Sequence, residues 1–492
     1  MGREALHEST ISRWYNRYVG LSLGKWFLLC FVALELFFAV TLVLIENPIL
    51  DQDSARYIDG SLPHLTGWKF GLIPWHGTVL PLFANYWPAR LFRYEGVVIF
   101  NSLVASYGLS HLFAVLTSAL RIRARGLFLS LYLTTIAVAS FTPLVCMMIE
   151  SEPVTLGIFA LVLSVTLSKR CCLLDLAILG IFSAYHTSNI IVLGIFLSIV
   201  LAWSLVRERG FAMLVSLMLL CLATSHGIDR ALIRSYGEGR TRLEASFVGA
   251  IILNYYPFVL QRLCEEQTDL RICRPQTREF IERKRTPEIY QPGRFLWASD
   301  KLYILPSKNP NAPEMHHVQR DWPVISISEF EESSRTLAFT AVRLIPDRLG
   351  DYLSISLRRI EALFWQNQVV HYNFIKNRNL DLSHGPLHFI FEEKGALDSF
   401  STTLKLVYLT LIPLFSVVAI LLPDPRQTRP TVLRICALGL FLYLANLVVM
   451  GTLGTAVSRY HYRAFFILSV ILLSLVWHVV GASTSRNSDT TR

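Results

Sequence analysis

The chain has little charge: Asp, Glu, Lys and Arg make up 17% of its 492 residues, while 53% are hydrophobic. Those proportions alone do not exclude a soluble protein, but their arrangement does. Several apolar runs reach the roughly 20 residues a helix needs to cross a hydrocarbon core of about 30 Å. Lipid offers backbone groups no partner, so such runs must be helical. Positive charge is scarcer still on one face. The short loops near 148–152 and 186–189 carry no Lys or Arg. Cleavable-signal features are also missing: the first apolar run is too long for a signal core and lacks a small-residue cleavage pattern, so a retained anchor is expected. There is no internal repeat, no low-complexity tract and no nucleic-acid motif. The net charge of +10 therefore reflects membrane topology and not nucleic-acid binding.

What is present is about ten spans, at roughly 25–45, 97–119, 127–147, 153–168, 171–187, 189–206, 211–227, 402–422, 431–451 and 464–482. The fourth to sixth are short, and the fifth and sixth can form one hairpin. Arginines and lysines gather at alternate ends. Arg3, Arg13, Arg17 and Lys25 precede the first span. Arg121, Arg123 and Arg125 follow the second, Lys169 and Arg170 the fourth, Arg207 and Arg209 the sixth, and Arg426 and Arg429 the eighth. With this count all lie on one side, which is then cytoplasmic. The segment 245–261 is apolar enough to threaten the count. Asn254, two tyrosines and Pro257 make it a poor span, and a helix at the interface or inside the outer domain is preferred.

The expected fold is thus an all-α polytopic membrane protein. Residues 1–24 form a cytoplasmic segment. Residues 25–227 form an N-terminal transmembrane module with an outer loop at 46–96. Residues 228–401 form a mostly helical outer domain, 402–482 a C-terminal transmembrane module, and 483–492 a disordered tail. Trp68, Trp75 and Trp87 suit surface helices in the first outer loop, and 301–324, rich in Pro and Asn, reads as loop. Few charges are expected in mid-span; Asp175 and Arg434 lie near arginine-rich ends. Of eight cysteines, six fall in predicted spans. Cys264 and Cys273 do not, and in an oxidising compartment they are expected to pair as a disulfide. The alternative is two free thiols. A metal site there is not expected, since two thiols have no neighbouring His in sequence.

Four outer segments concentrate chemistry. ENPILDQDSARYIDG, residues 46–60, holds Asp51 and Asp53. Such a pair can hold a divalent cation such as Mg or Mn, or supply a base for a hydroxyl; helix capping by Asp53 or Ser54 is the alternative. Glu150 and Glu152 occupy a tight outer turn, as a second acid, as acceptor-binding groups, or as simple helix-dipole partners. His186 lies in AYHTSN, residues 184–189, suited to a phosphate or an acceptor hydroxyl, or to a polar turn. Arg459, His461 and Arg463 in SRYHYRAFF form a basic cluster on the face otherwise poor in basic residues. They suit phosphate or lipid headgroups.

Taken together, the layout resembles the GT-C superfamily of polytopic glycosyltransferases, which includes bacterial aminoarabinose transferases and protein mannosyltransferases. Asp53-Ser54-Ala55-Arg56-Tyr57 is similar to the family's D-E-x-R-Y context, with Ser54 in place of the second acid. Ser151-Glu152-Pro153 resembles its second-loop acid, and Arg459-Tyr460 its late R-Y. The resemblance covers 1–227 and 402–482; 228–401 has no counterpart, and it looks like part of uncharacterised bacterial membrane proteins. The resemblance implies an inner-membrane enzyme with cytoplasmic termini and a periplasmic site. It would use a polyprenyl-phosphate sugar as donor and a glycan, lipid or protein as acceptor. Asp53 would be the base. Arg459, Arg463, His461 and Arg56 would meet the phosphate. The competing readings are a lipid-linked oligosaccharide flippase, a glycan polymerase, and an inactive scaffold.

Overall fold

The computed structural model describes residues 24–45, 80–149, 151–236, 257–266, 349–365, 394–422, 427–452 and 459–489, with short pieces between 273 and 347. The described residues form a multi-pass, almost wholly helical bundle. Seven helices are long and apolar enough to cross a membrane: Gly24–Ile45, Ala84–Ala119, Thr187–Arg207, Arg209–Leu232, Ser399–Leu421, Arg429–Thr452 and Tyr460–Gly481. Three shorter apolar helices, Arg125–Val138, Glu152–Ser168 and Leu173–Tyr185, fall where further spans are expected.

In chain order the helices are α1 (Gly24–Ile45), α2 (Leu80–Ala119), α3 (Arg125–Val138), α4 (Thr142–Cys146), α5 (Glu152–Ser168), α6 (Leu173–Phe182), α7 (Thr187–Arg207) and α8 (Arg209–Tyr236). After them come α9 (Pro257–Glu266), α10 (Leu349–Trp365), α11 (Lys394–Leu421), α12 (Arg429–Thr452) and α13 (Arg459–Asp489).

The centre is α5. All its residues from Glu152 to Leu167 are buried, so its length of about 25 Å at 1.5 Å per residue need not match the bilayer by itself. It lies on α2 with no side chain between the backbones: a Cβ on Gly157 would sit 2.3 Å from Val104 O, and one on Gly108 would sit 2.0 Å from Gly157 O. Small residues let helices approach this closely and gain dispersion and polar contact that lipid cannot provide. α13 covers α5 from the other side, with Arg463 over Phe159.

Several expectations are corrected. The run 127–147 is not one helix. α3 stops at Val138, Phe141 takes a left-handed conformation (φ 56°), and Pro143 lies in the first turn of α4. Proline has no N–H to continue a helix and its ring clashes with the preceding turn. α2 begins well before residue 97, so 80–96, the end of the 46–96 loop, is helical, with a kink at Phe92 and Arg93 (φ 53°, ψ −139°). Residues 303–305 and 324–326 pair as short parallel strands, not loop. Residues 483–489 continue α13 as helix: none is Gly or Pro, and each added residue gains a hydrogen bond once a helix exists. Two charges inside the spans stand beyond Asp175 and Arg434: Glu35 falls at the middle of α1, and Lys405, fully buried, lies near the start of the span Ser399–Leu421.

Contacts sort into two layers. At the arginine-rich end Lys169 pairs with Glu208, the Arg434 guanidinium donates to Thr166 O at 2.6 Å, and Thr428 meets His478. At the opposite end Asp229 accepts from Leu80 N at 2.9 Å, and Ile360 of α10 packs on Gly451. In α9 and beyond it, Cys264 and Cys273 are joined, with Cα atoms 5.2 Å apart.

Candidate functional site

The site is built at the end of the bundle opposite the arginine-rich turns, around the turn 184–189. α6 gives way to a 3-10 turn at Ser183–Tyr185, and α7 starts at Thr187. Ala184, Tyr185, Ser188 and Asn189 of this turn each reach a different helix. The Ala184 N–H donates to Ser225 Oγ on α8 at 2.9 Å. The Tyr185 hydroxyl lies 2.6 Å from Asn85 Oδ1 and 3.2 Å from Asn101 Oδ1, both on α2. Asn189 and Thr155 exchange hydrogen bonds between α7 and α5 at 2.9 and 3.2 Å. Buried polar atoms lose water, so these pairings offset a cost of about 1–3 kcal/mol for each group that would otherwise be unmet.

His186 caps α7. Its Nδ1 accepts from the Ser188 N–H at 3.2 Å and lies 2.6 Å from Ser188 Oγ. Since Nδ1 accepts, that nitrogen carries no proton and Nε2 bears it. Ser188 Oγ in turn accepts from Arg463 Nη2 at 2.9 Å. The chain Arg463 to Ser188 to His186 thus runs in one donor direction.

Arg463 is fully enclosed. Nε and Nη2 both donate to Asn446 Oδ1, at 3.1 and 2.9 Å, and Asn446 Nδ2 donates to Tyr460 O at 2.9 Å. The Tyr460 and Phe159 rings lie 5.1 and 5.8 Å from the guanidinium carbon. Two positions earlier, His461 meets the Tyr443 hydroxyl at 2.5 Å through Nε2, within a nest of Phe364, Tyr462 and Phe465 rings. Lys405, also fully buried, is 5.4 Å from the Tyr462 ring and 5.9 Å from that of Phe364. Phe364 belongs to α10, so this outer helix closes the top of the centre.

Glu152 opens α5 and is buried, with Ser151 Oγ donating to it at 3.5 Å. It stands one turn before Thr155, which ties it to the same junction. The structure therefore gathers His186, His461, Arg463 and the Glu152 turn into one end of the bundle. Arg459 begins α13 one turn outside Arg463. Asp51, Asp53, Arg56 and Glu150 lie outside the described residues. Cys264 and Cys273 stand apart on the outer segment. Among the described residues no group of three His, Cys, Asp or Glu could hold a metal ion.

Sequence reasoning passed over Ser188, Asn446, Tyr443 and Lys405. Lys405 carried a readable signal, as a basic residue inside a predicted span at its outer end. Asn446 and Ser188 are ordinary polar residues, visible only through their partners. A further buried group, missed for the same reason, sits nearer the arginine-rich end. There His111 faces Ser164 Oγ at 2.8 Å and Asp175 at 3.5 Å, and Tyr107 donates to Asp175 at 2.7 Å. It resembles a nucleophile-base-acid row, but Ser164, His111 and Asp175 have no exposed surface, and it serves to fasten α6 to α2 and α5.

No protein-family model, curated protein or solved structure matches the chain.

Proposed function

We propose that the chain is a membrane glycosyltransferase of GT-C type, with ten spans and its site on the periplasmic face of a bacterial inner membrane. In this reading the three short apolar helices complete the span count, enclosed by the longer ones. The observation that carries it is the convergence, at the end opposite the arginine-rich turns, of buried Arg463 and Lys405 with His186, His461 and Glu152. Four segments far apart in sequence supply them. Positive charge held there favours an anionic headgroup at the membrane boundary.

The reaction would move a sugar from polyprenyl phosphate to a glycan, lipid or protein hydroxyl. The acceptor oxygen bonds to the anomeric carbon with inversion. The carbon–oxygen bond to the phosphate breaks, and the lipid phosphate leaves with the electron pair. Asp53 takes the acceptor proton. Arg463 and His461 are enclosed, so in this reading they position α7, α12 and α13, and contact with the departing phosphate falls to Arg459 and Arg56. Glu152 orients the acceptor turn.

The test is transfer in proteoliposomes with a panel of polyprenyl-phosphate sugars. Transfer is expected with at least one donor, and Asp53→Asn should lower it by about 10²-fold or more at equal folded protein. Wild-type turnover in Asp53→Asn would show the base assignment to be wrong. A transport reading is favoured by one observation, Glu35 in mid-span. It predicts movement of a lipid-linked sugar between leaflets with no transfer to any acceptor.

A further inference from the structure

α1 crosses as an apolar helix whose one acidic residue is Glu35, about 16 Å along the axis from Gly24 at 1.5 Å per residue. Its environment is hydroxylic and uncharged. Ser102 Oγ lies 3.2 Å from Glu35 Oε2, its one proton shared with Ile99 O at 2.8 Å. Oε1 is buried and accepts no hydrogen bond. On α2, Ser102, Ser106 and Ser110 recur at intervals of four, so they share one face, and all three are buried. Ser106 lies within hydrogen-bonding reach of the carboxyl and Ser110 of the Cys30 thiol, but neither hydroxyl stands in full hydrogen-bond geometry. The other titratable groups around this seam are Cys30 of α1, Cys146 of α4 and, beyond Cys30, Tyr132 of α3. Among the described residues no Lys, Arg or His pairs with Glu35.

A bare carboxylate at this depth costs at least about 2.5–3.5 kcal/mol and is ordinarily paired. Here the pairing is missing, and two buried oxygens, Glu35 Oε1 and Ser106 Oγ, are left over. A single proton on Oε1 removes both defects: it neutralises the acid and gives Oε1 a donor to place on Ser106. The geometry points to Glu35 as an intramembrane proton-binding site, separate from the centre around Arg463, with Ser106 as the acceptor that holds the proton. Partial exposure of Glu35 on a helix that otherwise shows Leu36, Val40 and Val43 outward lets a membrane-soluble reagent reach it.

The experiment is labelling of the full chain in liposomes with a hydrophobic fluorescent carbodiimide, mapped by peptide mass spectrometry. The acid's proton passes to a carbodiimide nitrogen, and the carboxyl oxygen adds to the central carbon. The adduct then rearranges to a stable N-acylurea with nothing lost. Labelling at Glu35 is expected at neutral pH, where an exposed carboxylate of ordinary pKa about 4.3 has lost its proton, and it should fall as the medium becomes alkaline. A water-soluble carbodiimide should not label it. Glu35→Gln should abolish the label. Ser106→Ala should keep the label but shift the pH at which it is lost, because the carboxyl has lost its neighbouring hydroxyl. The proposal is overturned by absence of Glu35 labelling at any pH in folded protein. It is equally overturned by labelling that does not change with pH, or by an unchanged profile in Ser106→Ala.

Discussion

Asn446 shows what a single neutral residue does inside this bundle. It accepts two guanidinium hydrogen bonds and gives one to a backbone carbonyl, so it fastens the buried Arg463 between α12 and the start of α13. Asn446→Leu should destabilise the protein by about 3–5 kcal/mol, the usual cost of removing one partner of a buried charge. Adding Arg463→Met should restore part of that loss, a coupling that thermal unfolding of the two single variants and the double variant in detergent will measure. At the opposite end, the Lys169 ammonium hydrogen-bonds Glu208 and holds its carboxyl below the ordinary range. The pair's contribution is therefore present at neutral pH and is lost as pH falls through that lowered value. The pair is exposed, so salt should weaken it. Lys169→Met should remove this acid- and salt-sensitive part of the unfolding midpoint and leave the rest unchanged. The sequence displays Glu152, His186, His461 and Arg463 through their rarity on a face poor in basic residues. It hides Asn446 and Ser188, because a lone polar residue in an apolar run has no spacing signal and its partner can lie 275 positions away.

At the scale of elements, the α2–α5 seam rests on Gly108 and Gly157. Gly157→Leu would drive a side chain into the Val104 carbonyl. Its cost should exceed the roughly 1–3 kcal/mol of ordinary overpacking, because backbone and not a rotatable side chain must move. Gly180 has open space around its Cβ position, so Gly180→Ala should leave the unfolding midpoint unchanged or slightly higher. Comparing the two midpoints checks the seam. Hydropathy finds these helices but not their rank: α5 is among the shorter apolar runs and yet is the most enclosed. The break at Phe141 was legible only through Pro143, since the run around it stays apolar. The extension of α8 to Tyr236 was hidden because Asp229 and Arg230 look like the start of a soluble segment, whereas Asp229 turns inward to hold Leu80 N.

For the whole molecule, the arginine-rich turns gather at one end and the centre around the buried Arg463 lies at the other. Contacts between distant segments respect that division: arginine-rich turns meet one another, and the turn at 184–189 meets the entrance of α13. This agreement between loop charge and packing was readable in outline from the sequence, because both follow from the same alternation of spans. Under the proposed function, the identity of a donor would depend on side chains of segments such as 46–79, which loop charge does not describe. The most direct measurement is photo-crosslinking of a polyprenyl-phosphate analogue to the full chain in liposomes, with the adducts mapped by mass spectrometry. Adducts within 46–96 and around 458–463, competed by unlabelled lipid phosphate, are the predicted result. Adducts confined to the arginine-rich turns at 121–125 and 426–429, or none that unlabelled lipid competes, would contradict a transfer site at the opposite end.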